Sequence, residues 1–401
     1  MSGATVPASS RRKTTVPTTR PRRAALDSPA LLAYPMHGQR KLLDEGYRTR
    51  DGHLIEWLGH DLAGRGGVTV VSRPEPLVTS IARRRPIGAP AVGTRSVDPI
   101  TLRAPDPRDR RRWWVASARA YPSLPPSAAS VPALVWNPFA AVAPVAANPF
   151  AGPRRVVLDL LDDWSRHYAF ESIRAEVDEA YAAAFALADV VTANGAGTAD
   201  LARRHGRTDV VLLPNGCDPH RFDGTSRATG PTTVGYVGKI GRRLDLAGIL
   251  ATVAALPHVS FVFAGPVLDA EYGVLADSPN VTLLGDVHYD RVPALLQTFD
   301  VGWVPHHVGE REVGGDVIKT YEYRAAGLPV LSTAVCGIEA RGLDGVTVAD
   351  TAEHASVLAA LAAGSDGRVP RLPGAIPPDA TWRQKADVVR DALRLPARRP
   401  S

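Results

Sequence analysis

The chain has 401 residues, 45% of them hydrophobic and 22% charged, which suits two domains of ordinary size with tails. Its net charge of +6 suggests nucleic acid until it is located: residues 1–25 hold six basic residues and no acidic one, so the remainder is balanced and a nucleic-acid-binding body is the weakest reading. Two cysteines, Cys217 and Cys336, exclude a disulfide framework and a zinc cluster and point to a reducing, cytoplasmic compartment.

The first 25 residues, rich in Ser, Thr and Pro, read as a solvated basic tail without the apolar run of a secretory signal. Strands are expected at 31–35, 67–73, 113–118, 132–136, 155–160, 189–193 and 209–213. Helices are expected at 52–64, 171–188 and 196–205. Residues 83–112 carry nine arginines and three aspartates and have no clear element; they read as a solvated loop, with an anionic acceptor as the less favoured role. Residues 120–153 are uncharged, but eight prolines there argue against a membrane-spanning helix.

Pro214-Asn215-Gly216 opens a turn-rich linker over 214–231, which divides the chain into domains at 26–213 and 232–370, with a crossing segment and final helix in 371–401. The second series has strands at 233–238, 259–264, 281–284, 300–304, 328–332 and 345–348. Helices alternate with them at 243–256, 290–299, 316–326 and 351–363, and a last helix covers 380–394. Alternation of this kind implies an α/β fold: two doubly wound, Rossmann-like parallel sheets facing a cleft, with ligands at the carboxyl ends of the strands.

The most informative segment is DVIKTYEYRAAGLPV, residues 316–330. Asp316 reads as an N-cap, Gly327 as the left-handed terminator, and Pro329 as a stop. Lys319 and Glu322 are three residues apart and share a face. Gly314-Gly315 before the helix lets a ligand approach backbone amides, and a helix start with a lysine one turn in suits a diphosphate. Glu322 can accept from two ribose hydroxyls. By itself the pair is better read as an exposed surface ion pair, and the neighbouring loops shift the balance. The loop Gly235–Arg243 adds Gly238, Lys239, Arg242 and Arg243 after a strand, and its glycine spacing does not fit a nicotinamide fingerprint. Phe261–Pro266, with Gly265, and Val281–Val287 are further strands ending in tight turns. Lysine is scarce, with Lys13, Lys41, Lys239, Lys319 and Lys385 making five of 47 basic residues, so each internal lysine merits attention.

The order GYVGKI, FVFAGP, NVTLLGDV, DVGWVP and KTYEYRAAGLPVLST over about residues 230–350 resembles the donor domain of GT4-like glycosyltransferases, closest to the teichuronic-acid-type branch. VVLDLLDDW at 156–164 and LLPNGCDPHRF at 212–222 resemble the family's acceptor-side strand and linker. The resemblance implies a GT-B fold with a C-terminal helix crossing back to the first domain. It also implies a nucleotide-sugar donor as substrate, no cofactor, no metal, and commonly retention at the anomeric carbon. Carried over, Lys319 and Arg242 or Arg243 hold the diphosphate, with Lys239 a second candidate. Glu322 binds ribose, and Val287 lines the base. The family's second glutamate corresponds to Gly314, and its histidine before an aspartate is replaced at Leu161-Asp162-Asp163.

The expected chemistry is glycosyl transfer. Amides of Gly315 and Asp316, with Lys319 and Arg243, would stabilise the departing diphosphate, and the acceptor hydroxyl would enter near Asp162 and Asp163. An equally fair reading makes these two aspartates caps of the following loop. The expected partners are a nucleotide sugar and a hydroxyl acceptor of polysaccharide, lipid-linked or small-molecule type, with peripheral membrane contact and no nucleic acid. Rival readings are a non-catalytic nucleotide-sugar-binding partner and a sugar-nucleotide epimerase.

Overall fold

The computed structural model describes residues 28–82, 86, 88–309, 314–338, 341–363, 368–372, 374 and 376–398. The basic segment expected at 1–25 lies outside these. The first domain contains β1 (Leu31–Tyr34), α1 (Gln39–Glu45), α2 (Arg50–Leu62) and β2 (Val68–Val71). Next in this domain come β3 (Glu75–Pro76), α3 (Leu77–Ala82), β4 (Thr94–Val97), β5 (Ile100–Thr101) and α4 (Trp113–Ala118). β6 (Ala133–Val135), β7 (Val156–Leu160), α5 (Arg174–Leu187), β8 (Val190–Ala193), α6 (Ala196–Arg204) and β9 (Val210–Leu212) complete it. The parallel sheet runs β4-β2-β1-β6-β7-β8-β9, with β3 and β5 paired apart from it. β1, β2, β6 and β7 are buried at every position, as strands covered on both faces must be.

The second domain has β10 (Thr233–Val237), α7 (Leu246–Ala255), β11 (Ser260–Ala264), β12 (Val281–Gly285), α8 (Val292–Leu296) and β13 (Val301–Val304). It continues with α9 (Ile318–Ala325), β14 (Val330–Ser332), β15 (Val346–Val348) and α10 (His354–Ala363). Its sheet, also parallel, runs β12-β11-β10-β13-β14-β15. The strand order reverses between β1 and β6 in one sheet and between β10 and β13 in the other, and such switch points open ligand crevices. The last helix, α11 (Trp382–Ala392), returns to the first domain: Ala386, Val389 and Leu393 share a core with Leu54, Leu58 and Leu62 of α2.

Two local expectations change. Residues 113–118 form a helix, not a strand. Their aromatic, β-branched composition favours a strand, but burial at Trp113, Ser117 and Ala118 follows a helical spacing, and the Trp113 indole donates to the Pro74 carbonyl at 3.2 Å. The helix expected from 316 begins at Ile318 with Val317 as its cap residue, so Asp316 is not the N-cap. Gly327 does terminate it in the left-handed region, at φ 72°.

Asp316 has another task, which starts in the first domain's core. Asp159, in the middle of β7 and fully buried, accepts both arms of the Arg50 guanidinium at 2.7 and 2.9 Å, the Trp136 indole at 2.5 Å and the Thr192 hydroxyl. Arg50 also donates to the Asn215 side-chain oxygen at 3.0 Å. Asn215, in the linker, donates from its backbone to the Asp316 carboxylate at 2.8 Å and from its side chain to the Asp316 carbonyl at 2.9 Å. Asp316 further pairs with Arg341 and accepts from the Tyr321 hydroxyl at 3.0 Å. Removing one partner of a buried ion pair leaves an uncompensated charge. Arg50→Ala is therefore expected to lower stability by about 3–5 kcal/mol, seen as a lower urea midpoint; an unchanged midpoint contradicts this role for the pair.

Candidate active site

The cleft floor is built where β10 and β11 end. Gly238 follows β10, and a Cβ there would meet Lys319 Cε at 3.1 Å and Nζ at 3.3 Å, so the lysine lies directly across it. A Cβ on Gly265 would sit 1.8 Å from the Gly238 carbonyl oxygen. Both glycines thus allow one backbone to pass another beside the lysine. The Lys319 ammonium is 5.0 Å from the centre of the Tyr236 ring, whose hydroxyl lies 3.4 Å from His306 Nε2. Burial, reinforced by the nearby Arg243 charge, lowers the Lys319 pKa to about 8.

Glu322, one turn along α9, is buried, and burial raises its pKa. The buried Tyr289 hydroxyl beside it has no hydrogen-bond partner of ordinary geometry among the described residues. The Glu322 carboxylate and the Tyr289 phenol interact with one another in this dry corner, and together they suit ligand hydroxyls.

Arg243 reaches across the cleft and donates to Asp162 at 2.8 Å. Burial raises the Asp162 pKa, while Arg243 opposes the shift. Beside them His167 spends Nδ1 on the Ala169 amide at 3.0 Å; burial and the neighbouring cations hold its pKa at about 3, so the ring is neutral. Asp163, expected with Asp162, is directed elsewhere. It is buried, accepts from Ser165 N and Oγ at 3.0 and 2.6 Å and from Arg204 at 2.5 Å, and so caps the loop and fastens α6.

The remaining expected residues divide. Lys239 is open to the cleft, with Lys41, Glu45 and Arg48 of the first domain among its nearest charges. Arg242 stands further out, over Tyr168. Val287 is buried and its carbonyl accepts from Arg48 at 3.3 Å, while Asp286 accepts from the same side chain at 2.9 Å, so the first domain covers this loop. Gly314 and Gly315 meet the first domain rather than an open pocket. A Cβ on Gly314 would lie 2.9 Å from Gly197 Cα, and one on Gly315 would lie 2.4 Å from the Leu161 carbonyl oxygen. A side chain at 314 would have to displace this loop or the facing backbone, and the left-handed φ of 72° adds strain. Glu310 and Glu312, the nearby glutamates out of register with the family's second glutamate, lie outside the described residues.

Arg48, Tyr289 and Asn215 were missed by motif reasoning. No motif marks Arg48 or Tyr289; Asn215 was legible only as a turn residue. Lys41 carried the one available signal, the scarcity of lysine.

Residues 231–363 match the family model for glycosyl transferases group 1. The chain is similar to the Bacillus subtilis (strain 168) protein named "Putative teichuronic acid biosynthesis glycosyltransferase TuaH", 26% identical over 139 residues. That match spans 32% of this chain and 35% of the relative. Among solved structures, it is similar to Anabaena HepE in complex with UDP and glucose (TM-score 0.57, 15% identity, 92% of this chain and 95% of that one). It is also similar to sucrose-phosphate synthase of Thermosynechococcus elongatus (TM-score 0.61, 16% identity, 91% and 96%). These structures establish the GT-B fold.

The lowered Lys319 pKa has a pH consequence. An ammonium that must be charged to hold an anion loses charge as pH rises through about 8. The dissociation constant for a nucleoside diphosphate is expected to rise several-fold between pH 7.5 and 9.5, and the rise to flatten in Lys319→Arg, which stays charged. Titration calorimetry at four pH values checks this; equal slopes in both proteins would remove Lys319 from the anion site.

Proposed function

We propose that this chain, which carries a glycosyl transferase group 1 domain over residues 231–363, is an enzyme that transfers a sugar from a nucleoside-diphosphate sugar to a hydroxyl acceptor. The observation that carries the reading is the placement of Lys319 and Glu322 on one face of α9, at the crevice where β10 meets β13. Lys319 and Arg243 supply charge to the departing diphosphate, together with free amides in the first turn of α9. Glu322, beside Tyr289, takes the ribose hydroxyls. UDP is the first nucleotide to test, because HepE is similar in fold and binds it.

Asp162 pairs with Arg243 across the cleft. A bound diphosphate competes for the arginine and frees the carboxylate to accept from the incoming hydroxyl. The sugar's bond to the diphosphate oxygen breaks as the acceptor oxygen bonds the same carbon. With retention, the hydroxyl proton passes to the departing diphosphate. Two protein cations at the leaving group favour a metal-independent reaction. Cell-envelope polysaccharide synthesis is the setting that similarity to TuaH supports.

Among the described residues no helix is long and apolar enough to cross a membrane. The β3–α3–β5 lobe nevertheless exposes Val78 (67%), Ile81 (74%) and Leu102 (88%), followed by exposed Arg103, Arg108 and Arg110 to Arg112. An apolar tip with a cationic collar supports peripheral contact with an anionic bilayer. Wild-type protein is expected to sediment with phosphatidylglycerol vesicles, and Val78→Ser/Ile81→Ser/Leu102→Ser to remain in the supernatant; equal sedimentation would place the contact elsewhere.

A non-catalytic binder is the second reading, favoured by the glycine at 314. A thermal-shift panel of UDP, GDP, dTDP and ADP with their sugar conjugates addresses the donor. A ligand at a hundred times its dissociation constant adds about 2.7 kcal/mol of stability, a shift that Lys319→Ala should abolish while turnover falls at least a hundredfold. Nucleotide release that depends on acceptor distinguishes an enzyme from a binder.

A further inference from the structure

An open cavity of about 570 Å³ lies where the domains meet, one residue along the chain from Arg243. The first domain supplies Arg108, Asp109, Arg111, Tyr168 and Glu171, and the donor domain supplies Arg242 and Asp269. The cavity is a built feature. Arg111 donates to the Ala169 carbonyl at 2.5 Å, fastening the arginine-rich segment to the turn that carries Tyr168. The Tyr168 hydroxyl donates to Asp269 across the domain boundary at 3.4 Å, and the Arg242 guanidinium stands 5.4 Å over the Tyr168 ring.

Its charges are unevenly satisfied. Of the three lining carboxylates, Asp109 accepts the Arg111 amide at 3.0 Å and lies 3.7 Å from the Arg112 guanidinium, Asp269 accepts the Arg242 amide at 3.1 Å, and Glu171 is exposed to solvent. The arginines are less engaged. Among the described residues Arg108 makes no side-chain ion pair, and Arg111 bonds only to carbonyls. Arg242 sits 3.6 and 3.7 Å from Asp269 and Glu271, beyond hydrogen-bond range. Guanidinium N–H groups thus remain for an incoming anion. The carboxylates can accept from hydroxyls, and the Tyr168 ring offers a face for a sugar. No aliphatic side chain lines the space, which sets it apart from a lipid-chain site, and its volume falls within the range of small-ligand pockets.

We propose that this cavity is an acceptor subsite for an acidic saccharide, one whose carboxylate or phosphate is held by Arg108, Arg111 and Arg242. The proposal rests on the glycosyltransferase reading above and extends it to the acceptor's charge. Arg242 of the cavity wall is the chain neighbour of Arg243, and Tyr168 feels the Arg243 charge, so the subsite lies on the side of the Arg243–Asp162 pair.

The test is titration calorimetry on the full chain saturated with UDP, using a uronate trisaccharide, its carboxyl-reduced counterpart and a monophosphorylated neutral trisaccharide. Arg108→Glu is the principal variant, because that side chain makes no hydrogen bond or ion pair among the described residues. Arg111→Lys is the second. An acidic probe is expected to bind at least tenfold more tightly than the neutral one. Arg108→Glu should erase that difference without altering UDP affinity, and Arg111→Lys should weaken the acidic probe alone. Whether the uronate or the phosphate binds identifies the anion. Equal binding of neutral and acidic probes, indifference to Arg108→Glu, or no binding of either acidic probe overturns the proposal. Failure of UDP to bind wild type would instead overturn the donor reading, while Arg108-dependent binding of an acidic probe would still support the subsite.

Discussion

The buried Arg50–Asp159 pair is the interaction on which the rest of the molecule depends. Two charges removed from water gain little net stability unless their remaining hydrogen-bonding capacity is used. Here it is used: Trp136 and Thr192 saturate Asp159, and the spare Arg50 nitrogen turns to Asn215. Asn215 then holds Asp316 by two bonds, and Asp316 stands two residues before the helix that carries Lys319 and Glu322. Directional bonds between charged groups, in place of interchangeable aliphatic contacts, fix the azimuth of α9 relative to the first domain's sheet. Arg243 and Asp162 can therefore face one another although they belong to different domains.

The cleft also shows why a chain so rich in arginine keeps a few lysines. Among the described residues these are Lys41, Lys239, Lys319 and Lys385. The first three surround the cleft, and Lys385 is buried near Arg50 and Asp316. Burial brings Lys319 and Lys385 down to about 8, a range a guanidinium does not reach. A compact ammonium can be desolvated without a dedicated carboxylate, waiting for charge supplied by a ligand. Arginine at the same position would recruit a partner, as Arg243 has done with Asp162.

Much of this was legible in sequence where the causes are local. The face shared by Lys319 and Glu322 follows from helical spacing, and the end of α9 from Gly327. Buried strands such as β7 and β11 announced themselves as apolar runs, and the alternation gave both parallel sheets. Legibility failed where a partner far along the chain decides. Asp316 looks like a cap until Asn215 and Arg341 are in place, 101 and 25 positions away. Asp162 and Asp163 are adjacent and chemically identical, yet one faces the cleft and the other the α6 arginine, because the chain turns between them. Trp113–Ala118 has strand composition, and only the walls it packs against make it helical. The collar over Val287 comes from Arg48, on a loop with no motif.

The chain crosses between domains twice, and the crossings are tied together. Cys217 N donates to the Ala380 carbonyl at 3.1 Å, Trp382 N donates to the Cys217 carbonyl at 2.9 Å, and a side chain on Gly216 would strike Ala380. Two separate tethers would let the domains slide, twist and splay independently. Two tethers bonded into one short ribbon behave as a single pintle, which leaves one easy rotation. The Arg48–Asp286 and Arg243–Asp162 contacts bridge the same two domains, so a rotation about that ribbon has to break them.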